Sequence, residues 1–209
     1  MSQKSTEELL RRTDITCGAR YSAAHRMELQ GWAAQWTLAL LAIGQIIITL
    51  IPALKLRSNF GEAYVGFASV LFAVLVLAYS LLLGMANYSA RAVKMHGCGL
   101  ELGRLARRLF FLINRGNTSA IEYEECAKSY YDILDKHENH TKLDYLISHH
   151  QHYGAKASIL EFSDKKYWRE RASLALVKVK IWTLQTIQFS HFAISFILMY
   201  GWIYCMVRQ

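Results

Sequence analysis

Five histidines lie close together in the second half of the chain: His137, His140, His149, His150 and His152. His137 and His140 are three residues apart, and His149 and His152 repeat that spacing. Residues so spaced share one face of a helix, and two imidazoles on one face can form half of a zinc site. Histidines that are solvated or that lie near helix ends give the same pattern more often. We therefore predict no metal site and no cofactor.

Signatures of catalysis are missing from the sequence. It contains no G-x-x-x-x-G-K phosphate loop, no G-x-S-x-G nucleophile turn and no H-E-x-x-H zinc helix. The four cysteines, Cys17, Cys98, Cys126 and Cys205, form no C-x-x-C pair, which favours reduced thiols. The protein is therefore predicted not to be an enzyme. A membrane enzyme acting on lipid remains an alternative, with candidates by position alone in Glu62, Glu101 and His96.

Two rows of small and polar residues lie inside the most apolar parts of the sequence. The first row is Gln35, Ala42, Gln45 and Thr49, and the second is Ser69, Ala73, Ser80, Gly84 and Asn87. Steps of three, four and seven residues put each row on one face of a helix. Two such rows that face each other allow close packing and interhelical hydrogen bonds. In an oligomer, the first face could instead line a water-filled pore.

Three long segments without formal charge contain these rows and the end of the chain. The 209 residues include 24 Lys and Arg and 16 Asp and Glu, but none of them falls in Leu29–Leu54, Ala63–Ala90 or Ile181–Val207. A helix of about 20 apolar residues crosses the hydrocarbon core of a bilayer. The sequence therefore disfavours a soluble single-domain enzyme. It predicts an all-α membrane protein whose first partner is the lipid bilayer.

The first two segments predict a transmembrane helical hairpin, because only about nine residues separate them. In the third segment, the part from about Phe189 to Val207 is fully compatible with lipid, and we expect it to form a third, C-terminal transmembrane helix. The alternative is a buried or interfacial helix packed on the cytosolic region. The predicted division is a cytosolic N-terminal amphipathic helix (1–31), the transmembrane hairpin (32–87), a cytosolic helical region (88–180) and the third transmembrane helix (181–209).

Basic residues near the span ends predict the orientation of the hairpin. The loop has only Lys55 and Arg57, whereas the two outer flanks hold Arg12, Arg20, Arg26, Arg91, Lys94, Arg104, Arg107 and Arg108. By the positive-inside rule, the N-terminus and the region after the hairpin are cytoplasmic. The net charge of +8 is then mainly a signal of topology. No direct nucleic acid binding is predicted.

Residues 88–180 show the apolar spacing of helices. The first of these helices has no breaker before Gly97 and could simply continue the second span out of the membrane. Asn117 or Thr118 is predicted to cap the next helix, which should end near Lys136. Further helices are expected from Thr141 and after Ser163 and Asp164.

The order of these parts resembles a known family. The residues that carry the resemblance are Arg20-Tyr21-x-x-Ala24-His25-Arg26 before the hairpin, Ala90, Met95, His96 and Leu100-Glu101-Leu102 after it, and a later Asp144-Tyr145. This pattern is similar to the SLATT domain, a two-transmembrane effector associated with SMODS nucleotide synthases and SLOG sensors. It looks most like the subfamily found beside reverse transcriptases.

The resemblance implies a membrane effector of a prokaryotic anti-phage conflict system, located in the bacterial inner membrane. Such an effector is expected to form a homo-oligomer that opens a membrane-disrupting pore and halts growth or kills the cell. Because the chain has no sensor domain, the trigger would be a separate sensor protein or a nucleotide second messenger. The alternative is a membrane-anchored helical scaffold or interaction protein without pore activity. No catalytic residues are implied.

Overall fold

The computed structural model describes residues 3–55, 59–157 and 165–208, and it contains no strand in these ranges. The predicted all-α fold is confirmed. The helices are α1 (Gln3–Ala53), α2 (Glu62–Ala86), α3 (Tyr88–Arg115), α4 (Ala120–Asp135), α5 (Lys142–Ala157) and α6 (Lys165–Val207). The predicted start of the last helix at Ser163 and Asp164 lies outside the described residues.

Three of these helices are long and apolar enough to cross a membrane: α1, α2 and α6. The predicted N-terminal helix and first span are one uninterrupted helix, α1. Its glycines at positions 18, 31 and 44 stand singly, and an isolated glycine costs a helix only about 1 kcal/mol relative to Ala. Pro52 lies in the last turn, one residue before α1 ends. The helix ends where Lys55 takes a positive φ of 51°, the left-handed conformation with which many helices end.

The second span does not continue as one regular helix into the region that follows it. Asn87 interrupts the chain between α2 and α3 with φ 44° and ψ 45°, in the left-handed region. Asparagine is one of the few residues other than glycine that adopts this conformation readily. The expected continuation of the second span therefore fails at Asn87, and α3 begins again at Tyr88.

The described helices form two packing units. The first unit contains residues 1–27 and 89–185, and the second contains residues 28–88 and 186–209. Helix α1 contributes its first half to one unit and its second half to the other.

In the first unit, one face of α3 forms a continuous apolar row against α1 and α4. The row has the three- and four-residue spacing of an amphipathic helix. Its core consists of Leu102, Leu105, Leu109 and Leu112 with Leu9, Cys98, Cys126, Tyr130 and Ile133. Helix α5 packs on α1 as well, because the Ser148 hydroxyl donates to the carbonyl of Ile15 at 2.7 Å. A side chain at Gly18 would collide with that hydroxyl.

The caps of α4 and α5 show where local sequence sets the helix starts. Helix α4 is capped by Ser119, one residue after the predicted Thr118, because only Ser119 is spaced to form a capping box with Glu122. Ser119 Oγ accepts from the Glu122 amide at 3.2 Å, and Glu122 accepts from the Ser119 amide at 3.0 Å. For α5, the predicted start at Thr141 agrees with the structure, where Asp144 occupies the reciprocal position.

In the second unit, α1, α2 and α6 pack around a small apolar core. Leu41 and Ile48 of α1 contact Met199 of α6. A Cβ on Gly44 would collide with the Met199 sulfur, so α1 and α6 approach each other at a glycine. The Tyr200 hydroxyl also donates to the carbonyl of Leu40 at 2.9 Å. The last apolar segment therefore packs with the hairpin, as a third span would.

The end of α6 lies beside the loop of the hairpin. The amide of Asn59 donates to the carbonyl of Met206 at 3.0 Å, and the Asn59 side chain donates to Cys205 and Arg208 carbonyls. Phe60 stacks on Trp202 with ring centroids 5.7 Å apart. The loop between α1 and α2 and the C-terminal end of α6 are thus on the same side of the three-helix unit.

Candidate functional site

Gln45 and Ser69 form the polar contact that joins the two predicted rows. The Gln45 amide nitrogen donates to the backbone carbonyl of Ser69 at 2.9 Å and to its hydroxyl at 3.2 Å. The other end of the amide, Gln45 Oε1, is buried and accepts no hydrogen bond within the described residues. Hydrocarbon offers such an oxygen no partner.

The remaining members of the two rows do not face each other, contrary to the expectation of two matched stripes. Gln35, Thr49, Ala73, Gly84 and Asn87 are exposed, and Ala42 and Ser80 are only partly buried. Thr49 and Ser80 donate back to carbonyls of their own helices.

Larger side chains take the place between the helices that the small residues were expected to fill. On α2 the inward residues are Val65, Ala68, Phe72, Val76 and Tyr79. In lipid there is no hydrophobic driving force between helices, so these side chains pack inward through their van der Waals contacts with the core around Met199. The polar rows therefore lie beside the packed face of a single chain, on the surface of the three-helix unit.

The second group of candidate residues lies in the first unit, where Arg26 and Asp144 form a buried ion pair. Arg26 Nε donates to Asp144 Oδ1 at 2.8 Å, and Arg26 Nη2 donates to Asp144 Oδ2 at 2.9 Å. Thr141 donates to the same carboxylate from its amide at 3.0 Å and from its hydroxyl at 2.7 Å. Burial alone would raise the pKa of Asp144, but these hydrogen bonds and the Arg26 charge lower it overall.

Three further residues of the motif that carries the family resemblance make pairwise contacts in the same unit. Tyr21 packs edge-on against His96 with ring centroids 5.4 Å apart. It also covers Gly99, where a Cβ would lie 2.9 Å from the Tyr21 ring. Glu101 lies 3.6 Å from His137 Nε2. These contacts join α1 to α3 and α3 to the connection that precedes α5.

The histidine-rich stretch stacks on tyrosines. Tyr145 lies between His140 and His149, with ring centroids at 6.2 and 5.7 Å, and the His149 ring contacts the Tyr153 ring at 4.3 Å. Among the residues that the structure describes, no group of three His, Cys, Asp or Glu side chains is placed to hold a metal ion. His25 is exposed on α1.

Arg20 is the most unusual member of the motif, because its side chain is completely buried. One guanidinium nitrogen, Nη1, donates to the backbone carbonyl of Glu138 and lies 3.5 Å from the Met95 sulfur. Within the described residues, Nε and Nη2 have no hydrogen-bond partner. Sequence reasoning named Arg20 but missed Glu138, which acts through a backbone carbonyl that no residue type signals.

Sequence reasoning also missed Thr141 as part of this site, although it placed the helix start there. The signal was available, because a Thr three residues before an Asp at a helix start is a capping-box pattern. In the structure this cap fixes the carboxylate that Arg26 binds.

The comparison with known families finds a match over most of the chain. Residues 2–205 match the model of the SMODS and SLOG-associating 2TM effector domain family 5. No curated protein and no solved structure matches the chain. Because the match covers nearly the whole sequence, the chain belongs to the SMODS and SLOG-associating two-transmembrane effector family.

Proposed function

We propose that this chain is the membrane effector of a prokaryotic anti-phage conflict system and that it acts by assembling into a membrane-disrupting pore. One observation carries the proposal. Gln35 and Thr49 are exposed on α1, and Gln45 beside them keeps a buried oxygen without a described partner. In a single chain this surface would meet lipid, where amide and hydroxyl groups are costly. Thr49 already donates to its own helix, so the amide of Gln35 is the exposed group that a second copy or water in a shared lumen would satisfy.

A pore requires several copies, because three helices cannot enclose a channel. The exposed small residues of α2, Ala73 and Gly84, allow another helix to approach closely, since no other residue lies within 4 Å of a side chain added at Gly84. We infer that α1 of one copy packs on the Ala73 and Gly84 face of α2 in the neighbouring copy. The polar row of α1 would then face the lumen of the homo-oligomer.

The trigger would act on the first unit. We propose that a separate sensor protein or a nucleotide second messenger binds there and favours the assembled state. A partner encoded beside it, such as a reverse transcriptase, fits the subfamily that the motif resembles. We place the protein in the bacterial inner membrane with its N-terminus in the cytoplasm, following the basic residues at the span ends.

The experiment compares Gln45→Leu with Gln151→Leu. Gln151 is an exposed amide of α5, outside the predicted spans, so it is a matched control for the loss of an amide. Gln45→Leu should abolish growth arrest and membrane depolarisation at an unchanged membrane level, whereas Gln151→Leu should behave as wild type. Ion leakage from liposomes that is undiminished in Gln45→Leu would remove Gln45 from the pore.

A membrane-anchored scaffold is the second candidate, and exposed apolar side chains of the first unit favour it. Phe110, Phe111 and Ile121 are each more than half exposed, as a surface for a partner protein would be. Expression of a pore effector with its trigger collapses the membrane potential, whereas expression of a scaffold does not. The same depolarisation assay therefore separates the two functions.

A further inference from the structure

One edge of the Arg20 guanidinium makes no hydrogen bond within the described residues. In the Arg26 pair, Nε and Nη2 donate one hydrogen bond each to the two oxygens of the Asp144 carboxylate. In Arg20 the same two nitrogens are buried and have no hydrogen-bond partner within the described residues, while Nη1 is used by the Glu138 carbonyl. The fork of Nε and Nη2 matches two oxygens of a carboxylate or phosphate.

The carboxylates of Asp144 and Glu138 are bound by other residues, so neither of them forms an ion pair with Arg20. Asp144 is bound by Arg26 and Thr141. The side-chain carboxylate of Glu138 pairs with Arg91 Nε at 3.0 Å, whereas the backbone carbonyl of Glu138 accepts from Arg20. A completely buried guanidinium whose charge is not compensated is costly. A bound anion would supply the missing charge.

His140 provides a second group beside Arg20. Its Nδ1 is buried and has no hydrogen-bond partner in the described part of the chain. His140 follows Glu138 by two residues, and the Glu138 carbonyl contacts Arg20, so the connection brings His140 close to the guanidinium. Burial lowers the pKa of His140, and the positive charge of Arg20 lowers it further. An anion beside Arg20 would reverse the second effect and could accept a hydrogen bond from the imidazole.

We propose that Arg20, with His140, binds a small-molecule oxyanion of the phosphate or carboxylate type beneath the α4–α5 connection, residues 136–141. The connection is short and irregular, and Glu138 and Asn139 within it are exposed. Its contact with Arg20 is through the Glu138 carbonyl. The anion enters when this connection lifts, and it occupies the Nε and Nη2 edge.

This site would be the place where a triggering ligand acts, a step that rests on the proposed pore function. Binding itself does not rest on that function, and it is measured on a closed or a monomeric protein equally well. Failure of binding and failure of pore formation are therefore separate results.

The test uses the full chain in nanodiscs and follows thermal unfolding by tryptophan fluorescence. Sodium phosphate, adenosine monophosphate and succinate are titrated at constant ionic strength, with chloride as the reference salt. A ligand that binds the folded state raises Tm saturably. We expect at least one of the three probes to do so, and the ranking to tell free phosphate from a nucleotide phosphate and from a carboxylate.

Three variants assign the effect to Arg20. Arg20→Gln should abolish the saturable rise, and Arg108→Gln, which removes an exposed guanidinium from α3, should keep it. Arg20→Lys keeps the charge but loses the fork and should weaken binding at least tenfold. If Arg20→Gln does not fold, the lysine variant carries the test alone.

Two results would overturn the proposal. The first is a wild-type protein whose Tm responds to all three probes no differently from chloride. The second is an Arg20→Lys or folded Arg20→Gln variant that binds with wild-type affinity.

Discussion

Arg26 and Asp144 form a two-point ion pair across 118 positions of sequence, with the carboxylate completely buried. The pair joins α1, at its last residues in the first unit, to the cap of α5. It is the contact in this chain whose loss should be most easily measured.

Asp144→Asn should destabilise the first unit by about 3–5 kcal/mol, because it leaves a buried guanidinium without its counter-charge. The matched control is Glu125→Gln, which breaks the exposed pair with Arg108 and should cost about 0–1 kcal/mol. Chemical denaturation of the solubilised protein, followed by circular dichroism, measures both. Equal losses in the two variants would contradict the buried pair.

Acid should weaken the first unit in two separate pH windows. Burial and nearby positive charge lower the pKa values of His140 and His149 below 6.5, so the folded state prefers them neutral. Their contribution is present above about pH 6.5 and is lost as the pH falls through the lowered values. The pKa of Asp144 is lowered below 3.8, so its contribution is lost only below about pH 4.

Unfolding curves between pH 7.5 and pH 3 check this prediction. Replacing His140 and His149 together by Asn should remove the loss of stability in the upper pH window and leave the loss in the lower window unchanged. The lower window should shrink in Asp144→Asn but not vanish, because the pKa values of Glu8 and Glu122 are also lowered, to about 2. A lower window of unchanged size would be inconsistent with the assignment.

Gly44→Val should loosen the contact between α1 and α6. The added side chain meets the buried Met199 sulfur, and overpacking of this kind costs about 1–3 kcal/mol. Gly66→Val is the matched control, because nothing lies within 4 Å of a Cβ at that position of α2. Unfolding in mixed detergent micelles should separate the two. The idea fails if both variants are equally stable.

Asn87→Val should destabilise the junction of α2 and α3 by about 1–2 kcal/mol, because a β-branched residue resists the left-handed conformation. Asn87→Gly should be tolerated, since glycine adopts positive φ without a steric penalty. Thermal unfolding of the two variants in nanodiscs gives the comparison. A valine variant as stable as the glycine variant would argue that α2 and α3 can join as one helix.

Cys205 should report on which side of the membrane the chain ends. It is exposed on α6 beside the loop of the hairpin. In intact cells, a variant that retains only Cys205 should react with a membrane-impermeant maleimide. A variant that retains only Cys17 should not react, because this thiol is half-buried and burial, with the Asp14 charge, raises its pKa to about 11. Labelling of Cys205 only after permeabilisation would reverse the predicted orientation.

Most helices of this fold could be predicted from the sequence, because charged and apolar residues are separated along the chain. Ranges free of charge predicted the three apolar helices, and capping residues predicted the start of α5. Asn87 was missed, since an asparagine between two helical patterns does not reveal its backbone angles. Ser119 was missed by one residue because three capping residues stand in a row.

The candidate residues were predicted less completely, because their partners are distant in sequence. The spacing of Gln45 placed it on a polar face, but which residues of α2 turn inward depends on packing around Met199. The motif named Arg20, Arg26 and Asp144 as separate residues. Their arrangement, with one arginine paired and the other not, follows only from the folded chain.

The hydrogen bonds between Asn59 and the last turn of α6 join the hairpin loop to the C-terminal end of the three-helix unit. Backbone groups of the hairpin loop and of the C-terminal turn hold each other there, and Phe60 and Trp202 cover the joint. If the helices separate during assembly, parting at the opposite end breaks side-chain packing but none of these bonds. The helices would then separate at that end while the loop end stays joined.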